Sequence, residues 1–193
     1  MNAHALSPST TTMQGPLAAS LALPRGMRHM PRPRPDAAHT RHVWTGQLEV
    51  AEGDQVLTAL LGSCVGIGMI WKSRGRCGLA HCFLPEGAGI GNAAARYVSA
   101  AVPALLAALG VKREQYGDVE VVVAGGARML HLPGGEGAIG RRNIAAAHAQ
   151  LAARGLHVEY EDVGGSHGRR LSIDCDSRTW SVVRVGMAEG AYA

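Results

Sequence analysis

Nothing in this chain approaches the ~18 consecutive apolar residues of a membrane-spanning helix, because its longest apolar stretches are interrupted by Gly or charge. A water-soluble protein is expected. The short apolar patch from Pro16 to Leu23 has no Lys or Arg before it, so the charged start of a secretory signal is missing and a cytoplasmic location is expected. Only four cysteines occur, Cys64, Cys77, Cys82 and Cys175, in a chain long enough to build its own core. That excludes a disulfide scaffold and suits free thiols in a reducing compartment. No G-x-x-x-x-G-K-[S/T] phosphate signature and no internal repeat is found.

What is present is one domain's worth of sequence. With 193 residues and 47% hydrophobic composition, a single core can bury roughly 70% of the unfolded surface. The charge is uneven. Residues 1–45 carry Arg25, Arg28, Arg32, Arg34 and Arg41 against Asp36, whereas residues 46–193 balance 14 basic against 14 acidic side chains. A neutral body lacks the one-sided field of a nucleic-acid binder. The first stretch also has no hydrophobic periodicity and contains Met30-Pro31-Arg32-Pro33-Arg34-Pro35, whose prolines disfavour helix. The expected organisation is therefore a disordered basic tail over 1–45, a folded domain over 46–187 and a short tail over 188–193.

Short apolar runs separated by Gly begin after Gly46 and predict strands. They cover Gln47 to Ala51, Gln55 to Leu61, Val65 to Trp71, Gly78 to Leu84, Val119 to Ala124, Leu156 to Glu161, Arg170 to Ile173 and Thr179 to Val185. Two helices are predicted. One runs from Ala93 to Leu109, capped by Asn92, stopped by Gly110 and kinked or broken at Pro103. The other runs from Asn143 to Arg154 and stops at Gly155. Hairpin-like strand pairs with two intervening helices imply an α+β layered sandwich with mixed, largely antiparallel sheets.

Leu60-Leu61-Gly62-Ser63-Cys64-Val65-Gly66 places a thiol just after a strand, between glycines that admit a substrate or another backbone. Cys64 is thus a candidate nucleophile, which needs a base or cation nearby to supply the thiolate. Residue type alone favours the other reading, a small buried hydrophobe. Among the histidines, His157 alternates with apolar neighbours and should face solvent, and His148 has no cysteine partner at helical spacing. His81 lies in the apolar run Gly78 to Leu84, where an imidazole needs a hydrogen-bonding purpose. His131 and His167, beside Gly-rich turns, stay open. If the strand runs extended into the turn, Thr58 shares a face with Cys64 and can orient an imidazole, or it simply fills the strand.

Other constellations are weaker. Cys77, His81 and Cys82 lack a second ligand pair at zinc-finger spacing, and no metal or cofactor is expected. Gly89-Ile90-Gly91-Asn92-Ala93-Ala94 fits G-x-G-x-x-A. The loop before it is too long for a dinucleotide turn, however, and the next strand ends in Ala124-Gly125-Gly126 without the acid that holds a ribose.

In order along the chain stand Leu61-Gly62-Ser63-Cys64-Val65, His81 with Leu84-Pro85, Gly125-Gly126-Ala127, Ile139-Gly140-Arg141-Arg142-Asn143, and Asp162-Val163-Gly164-Gly165 through Gly168-Arg169-Arg170. Together they resemble the CheD family of chemoreceptor glutamine deamidases, over roughly Gly46 to Val185. The resemblance implies a sandwich similar to bacterial toxin (CNF-like) deamidases. It implies a catalytic Cys64, a His81 seventeen positions later and a Thr58 six positions earlier as a triad, with backbone groups at Gly62 and Ser63 holding the oxyanion and Arg141, Arg142 or Arg169 bordering a substrate groove. The implied substrates are glutamines on the cytoplasmic helices of methyl-accepting chemoreceptors. Some members also hydrolyse glutamyl methyl esters and bind a CheC-type phosphatase. The competing reading is an adaptor that binds the same partners without chemistry.

Overall fold

Side-chain alternation along the apolar runs sorts them into two stacked sheets. A computed structural model describes residues 39–128 and 136–185. Its strands are β1 (Thr40–His42), β2 (Leu48–Glu52), β3 (Val56–Leu61), β4 (Val65–Trp71), β5 (Arg76–Cys82), β6 (Val119–Gly125), β7 (Val158–Val163), β8 (Gly168–Asp174) and β9 (Thr179–Val185). The helices are α1 (Val98–Leu109) and α2 (Glu136–Ala152), with 3-10 turns at Gly91–Arg96 and Arg113–Asp118. One sheet has the order β1-β3-β8-β9 and the other β2-β5-β4-β6-β7. Only β1 with β3 and β6 with β7 run parallel; the other pairs are antiparallel. This is the α+β, mixed-sheet, single-domain architecture anticipated above.

Three layers result. On β4, Val65, Ile67 and Met69 face α1 and α2 and pack with Val98, Val102, Leu105, Ala147 and Leu151. The opposite face of the same sheet, through Ile70, Leu79 and Val122, packs on Leu57, Leu61, Leu171 and Ile173 of the four-stranded sheet. Buried on both sides, β4 is apolar throughout, as a central strand must be. Its glycines set the layer spacing. A Cβ on Gly66 would lie 2.7 Å from a Leu61 methyl, and one on Gly68 the same distance from Ile173 Cδ1, so any larger residue would force the sheets apart.

Several boundaries differ from expectation, each for a tertiary reason. A strand, β1, already lies inside the stretch read as a tail, because Thr40–His42 pairs in parallel with β3; three polar residues carry no periodic signal of their own. The first helix is interrupted at Tyr97, ahead of Pro103. Tyr97 is extended and bridges to Leu84, so the backbone there serves the sheet rather than the helix. The second helix starts at Glu136 instead of Asn143. Gly137 and Gly140 lower helix propensity, yet Gly140 is what lets α2 lie against the β6 exit: a Cβ there would sit 2.5 Å from Gly126 O. The segments 1–38, including the Arg-Pro run, and 188–193 lie outside the described residues, as does His131.

Two chain crossings bring the site together. Residues 43–47 pass from β1 to β2, and Gly62-Ser63-Cys64 passes from β3 to β4; each leaves the four-stranded sheet for the five-stranded one. Because β1 and β3 are parallel neighbours, both crossings fall at the same end of the sandwich.

Candidate active site

Burial separates the four free thiols. Cys64 is partly exposed while Cys77, Cys82 and Cys175 are buried. Cys82 has its pKa raised by burial first and then by proximity to Cys64. Cys77 has its pKa raised by its hydrogen bond to Cys175 and by burial. Only Cys64 combines access with a place in a glycine-flanked turn, which makes it the one thiol among the described residues suited to attack.

The turn carrying Cys64 is tied down carbonyl by carbonyl. Ala127 N donates to Gly62 O at 2.8 Å and Gly126 N to Cys64 O at 2.7 Å. Asn143 Nδ2, on α2, donates to Ser63 O and to Phe83 O, both at 3.2 Å. Asn143 is fully buried and its Oδ1 has no partner, so two carbonyls dictate the orientation of the amide. Gly125 makes this approach feasible, with φ 107° and only 2.2 Å between an added Cβ and Cys64 O. In a trans peptide the C=O and the following N–H point oppositely. Anchoring the carbonyls of Gly62 and Ser63 inward therefore turns the N–H groups of Ser63 and Cys64 away from those partners.

His81 sits opposite Gly66 in the β4–β5 ladder, on the face that meets the other sheet. Cys64, in the turn just before β4, packs at the edge of that same inter-sheet cluster, on the side of the sheet that carries His81. Residues 43–47 wrap the histidine. Gly46 N donates to His81 O at 2.7 Å, and His81 N donates to Gln47 O at 2.9 Å. His81 Nδ1 bonds Val43 O at 3.0 Å. A carbonyl only accepts, so Nδ1 carries the proton and Nε2 is left as the base. The Thr45 hydroxyl lies 3.4 Å from Nε2.

Electrostatically the resting pair is neutral. Burial lowers the pKa of His81, against the raising effect of the Val43 carbonyl. Burial also raises the Cys64 thiol, opposed by hydrogen bonds from Thr45 and from its own backbone. Neither shift favours a preformed thiolate–imidazolium pair, and ionisation must accompany substrate attack.

Thr58 is not brought to the imidazole. β3 ends at Leu61, so the two-residue alternation that would align positions 58 and 64 does not continue through the turn. With Leu57, Ala59 and Leu61 facing the inter-sheet core, Thr58 points to the outer face, where its hydroxyl donates to Leu171 O at 3.2 Å and bonds Ser172 Oγ at 2.9 Å. Its backbone is closer to the site: Thr58 O accepts from Val43 N at 2.8 Å.

Arg169 is unavailable to a groove. It is buried, donating through Nη1 to Gly164 O and His167 O and through Nη2 to Asp162. Its role is to pin the Gly164-Gly165 turn. Arg141 and Arg142 are exposed. Arg141 lines a shallow pocket of 280 Å³ with Gly126, Arg128 and Ser166, next to the Gly126 that holds Cys64 O. His148 pairs with Glu161 on the surface, and His157 and His167 are exposed. Three contributors escape a reading of the sequence: Val43 and Thr45 fall in the apparent tail, and Asn143 stands in a motif without a role. Only the last has a readable signal, an Asn inside an otherwise apolar helix stripe with Ile144 and Ala147.

Comparison with known proteins points one way. A family model described as CheD chemotactic sensory transduction matches residues 83–184. A protein of Ruegeria sp. named "Probable chemoreceptor glutamine deamidase CheD 2" is 34% identical over 166 residues, spanning 75% of this chain and 91% of the relative. Proteins of Bdellovibrio bacteriovorus and Symbiobacterium thermophilum, each named "Probable chemoreceptor glutamine deamidase CheD", are 35% and 36% identical. They span 70% and 76% of this chain and 88% and 93% of their own lengths. The family model begins just after His81, but a span covering 75% of this chain includes positions 64 and 81 wherever it starts.

Proposed function

The chain belongs to the CheD family, and from that membership we propose that it is a protein-glutamine deamidase of chemotaxis, converting chemoreceptor glutamine side chains to glutamate. The observation that carries this reading to individual atoms is the meeting of one accessible thiol, Cys64, with an imidazole whose proton is held on Nδ1 by Val43 O. That arrangement leaves Nε2 as a base directed into the site, which is what amide hydrolysis by a thiol requires.

Cys64 Sγ attacks the carboxamide carbon as the thiol proton passes to His81 Nε2. The Ser63 and Cys64 N–H groups receive the oxyanion. The imidazolium returns its proton to the departing nitrogen, ammonia leaves, and a thioester remains. His81 then takes a proton from water, hydroxide adds to the thioester, and collapse releases glutamate and the thiol. The same path cleaves a glutamyl methyl ester, with methanol as the leaving group, and ester hydrolysis is part of the proposal. Thr58 serves one step removed, its carbonyl positioning Val43 and Val43 positioning the imidazole.

The substrates are the cytoplasmic helices of methyl-accepting chemoreceptors, which puts the enzyme in the cytoplasm; among the described residues no helix is long and apolar enough to cross a membrane. A glutamine displayed on a helix calls for an open approach, and the Arg128 and Arg141 pocket beside the Cys64 turn supplies one border of it. Binding of a CheC-type phosphatase and a likeness to toxin deamidases belong to the same reading. The test is incubation of the full chain with a chemoreceptor fragment, followed by peptide mass spectrometry. Glutamine-to-glutamate conversion that disappears in Cys64→Ala is expected. Binding without conversion would replace the enzyme by an adaptor.

A further inference from the structure

Cavities lie at both ends of the five-stranded sheet, and their charges differ. In the β4–β6 ladder Val65 pairs with Gly125 at the Cys64 end and Trp71 with Val119 at the other. At the far end a cavity of 180 Å³ is lined by Lys72, Asp118, Glu120, His157 and Glu159 among others, and its lysine is already bonded to Glu120. At the Cys64 end the 280 Å³ pocket is lined by Gly126, Arg128, Arg141, Gly164, Gly165 and Ser166, with no carboxylate among the described lining residues. Arg41, Arg76, Arg154 and Arg184 each donate to an oxygen of the fold. Arg128 and Arg141 are exposed and have no such partner among the described residues. The Gly164-Gly165 wall of the pocket is held by buried Arg169, whose Nη1 donates to Gly164 O at 2.6 Å. Arg169 shares the Asp162 carboxylate with Arg184, at 2.8 and 3.3 Å, and two guanidiniums on one carboxylate leave that wall positive. Like charges lining one pocket repel, and an anion that enters and accepts from both guanidiniums relieves the repulsion.

We propose that Arg128 and Arg141 read an acidic side chain on the receptor helix, about one turn away from the glutamine that Cys64 attacks. The placement follows from the backbone that joins pocket to thiol. Gly126 lines the pocket and donates its N–H to Cys64 O at 2.7 Å, and Arg141 stands two positions before Asn143, which donates to Ser63 O. Pocket and nucleophile are thus built on the same short pieces of chain. On a helix, residues three or four apart share a face with ~5–6 Å between their Cβ atoms, so a glutamine at the thiol presents a neighbour on that face to the adjoining pocket. Asp and Glu are the side chains of an unmodified helix that are anionic at neutral pH, and a carboxylate accepts from two guanidiniums and from the Ser166 hydroxyl at once. The reaction itself makes such a ligand. Each converted glutamine becomes a glutamate, which turns a second glutamine one turn away into a better substrate, whereas a glutamyl methyl ester has no charge to offer. Deamidation along one helix face is thereby ordered.

This inference rests on the receptor helix being the substrate, and its test reads binding as well as turnover. In a helical chemoreceptor fragment, Glu, Gln or Lys is placed three and four residues to either side of each exposed glutamine in turn. Affinity is measured with full-chain Cys64→Ala and kcat/KM with the parent. Glu at one of these positions is expected to bind about tenfold more tightly than Gln and to raise kcat/KM by a similar factor. On adding Arg128→Gln or Arg141→Gln the Glu/Gln ratio falls below about threefold, and with Arg141→Glu the Lys fragment binds better than the Glu fragment. Damage to the fold weakens all fragments alike and leaves the ratio, so the ratio isolates recognition. Equal affinity for Glu and Gln at every position overturns the proposal, as does a preference that survives either Arg-to-Gln substitution or a failure of every fragment to bind. If fragments bind but the parent converts no glutamine, the deamidase reading falls while the Glu/Gln binding ratio still decides the role of the pocket.

Discussion

The two crossings between the sheets, Gly62 to Cys64 and Val43 to Gln47, meet at one end of the sandwich and hold the proposed reacting pair, Cys64 and His81, in different ways. The first presents a nucleophile by fixing its own carbonyls: Ala127, Gly126 and Asn143 each take one. The second presents nothing of its own backbone to the substrate. It grips His81 through Val43 O, Gly46 N and Gln47 O and adds one hydroxyl. One crossing is a turn whose glycines stand out in the sequence; the other, Val43-Trp44-Thr45-Gly46-Gln47, shows no periodic signal, and its importance comes from what it lies against. Presenting a group and orienting a partner place different demands on sequence, and only the first leaves a signature.

The sharpest way to break this comparison is at the thiol. Cys64→Ala is expected to lower receptor deamidation by roughly 10⁴-fold or more while leaving the fold intact, since the residue is only partly buried; deamidation mass spectrometry and thermal unfolding together check it. Next in size is His81→Ala. Loss of the general base should cost about 10²–10⁴-fold in rate, with Cys64 still open to alkylation at high pH. A fall equal to that of Cys64→Ala at every pH would argue that the second crossing also positions the thiol.

Asn143→Ala addresses the first crossing alone. Two carbonyls lose their donor in a buried site, which should lower stability by ~1–3 kcal/mol and the deamidation rate by up to about 10²-fold, with the Cys64 alkylation rate much less affected. Equal losses in both rates would move Asn143 from oxyanion geometry to thiol activation. Thr58→Val is expected to do less. It removes a hydroxyl bonded to Leu171 O and Ser172 Oγ and should cost ~1 kcal/mol of stability, with deamidation within about threefold of the parent. A collapse of activity would show that the outer face of β3 reaches the imidazole after all.

The smallest effect is a pH dependence of stability. His81 has a folded pKa below its ordinary value of 6.5, so below that pH the unfolded chain binds more protons than the folded one and stability declines as the solution is acidified. The contribution is intact above about pH 6.5 and is lost as pH falls toward and through the lowered value. Chemical denaturation of the parent and of His81→Gln at several pH values should give a difference that narrows in acid. A constant difference would mean that the imidazole binds its proton equally well in the folded and unfolded chains.

Much of the fold is legible along the chain. Strands β2 to β4, β6 and β9 lie within about a residue of the apolar runs that predict them; β4 and β6 are legible because central strands must be apolar on both faces, and the others because Gly and polar turns bound them. Cys64 and His81 stand out through a glycine turn and through an imidazole in an apolar strand. Thr58 misleads because the two-residue period does not carry into a turn where strand geometry has already ended. Arg169, which the sequence offers as a groove residue, is held by a carboxylate and two carbonyls that adjoin it only in the folded turn.

By itself the sequence determined the family and the layered α+β architecture and singled out Cys64 and His81, since each depends on local periodicity or on residues close together in the chain. Tertiary structure decided the rest. Which hydroxyl faces the imidazole, which nitrogen keeps its proton and which amide secures the cysteine turn are matters of groups 36 to 80 positions apart. A hydrogen bond is directional over about 3 Å, and no pattern along a chain encodes a direction that arises only when two sheets and a helix close on one another.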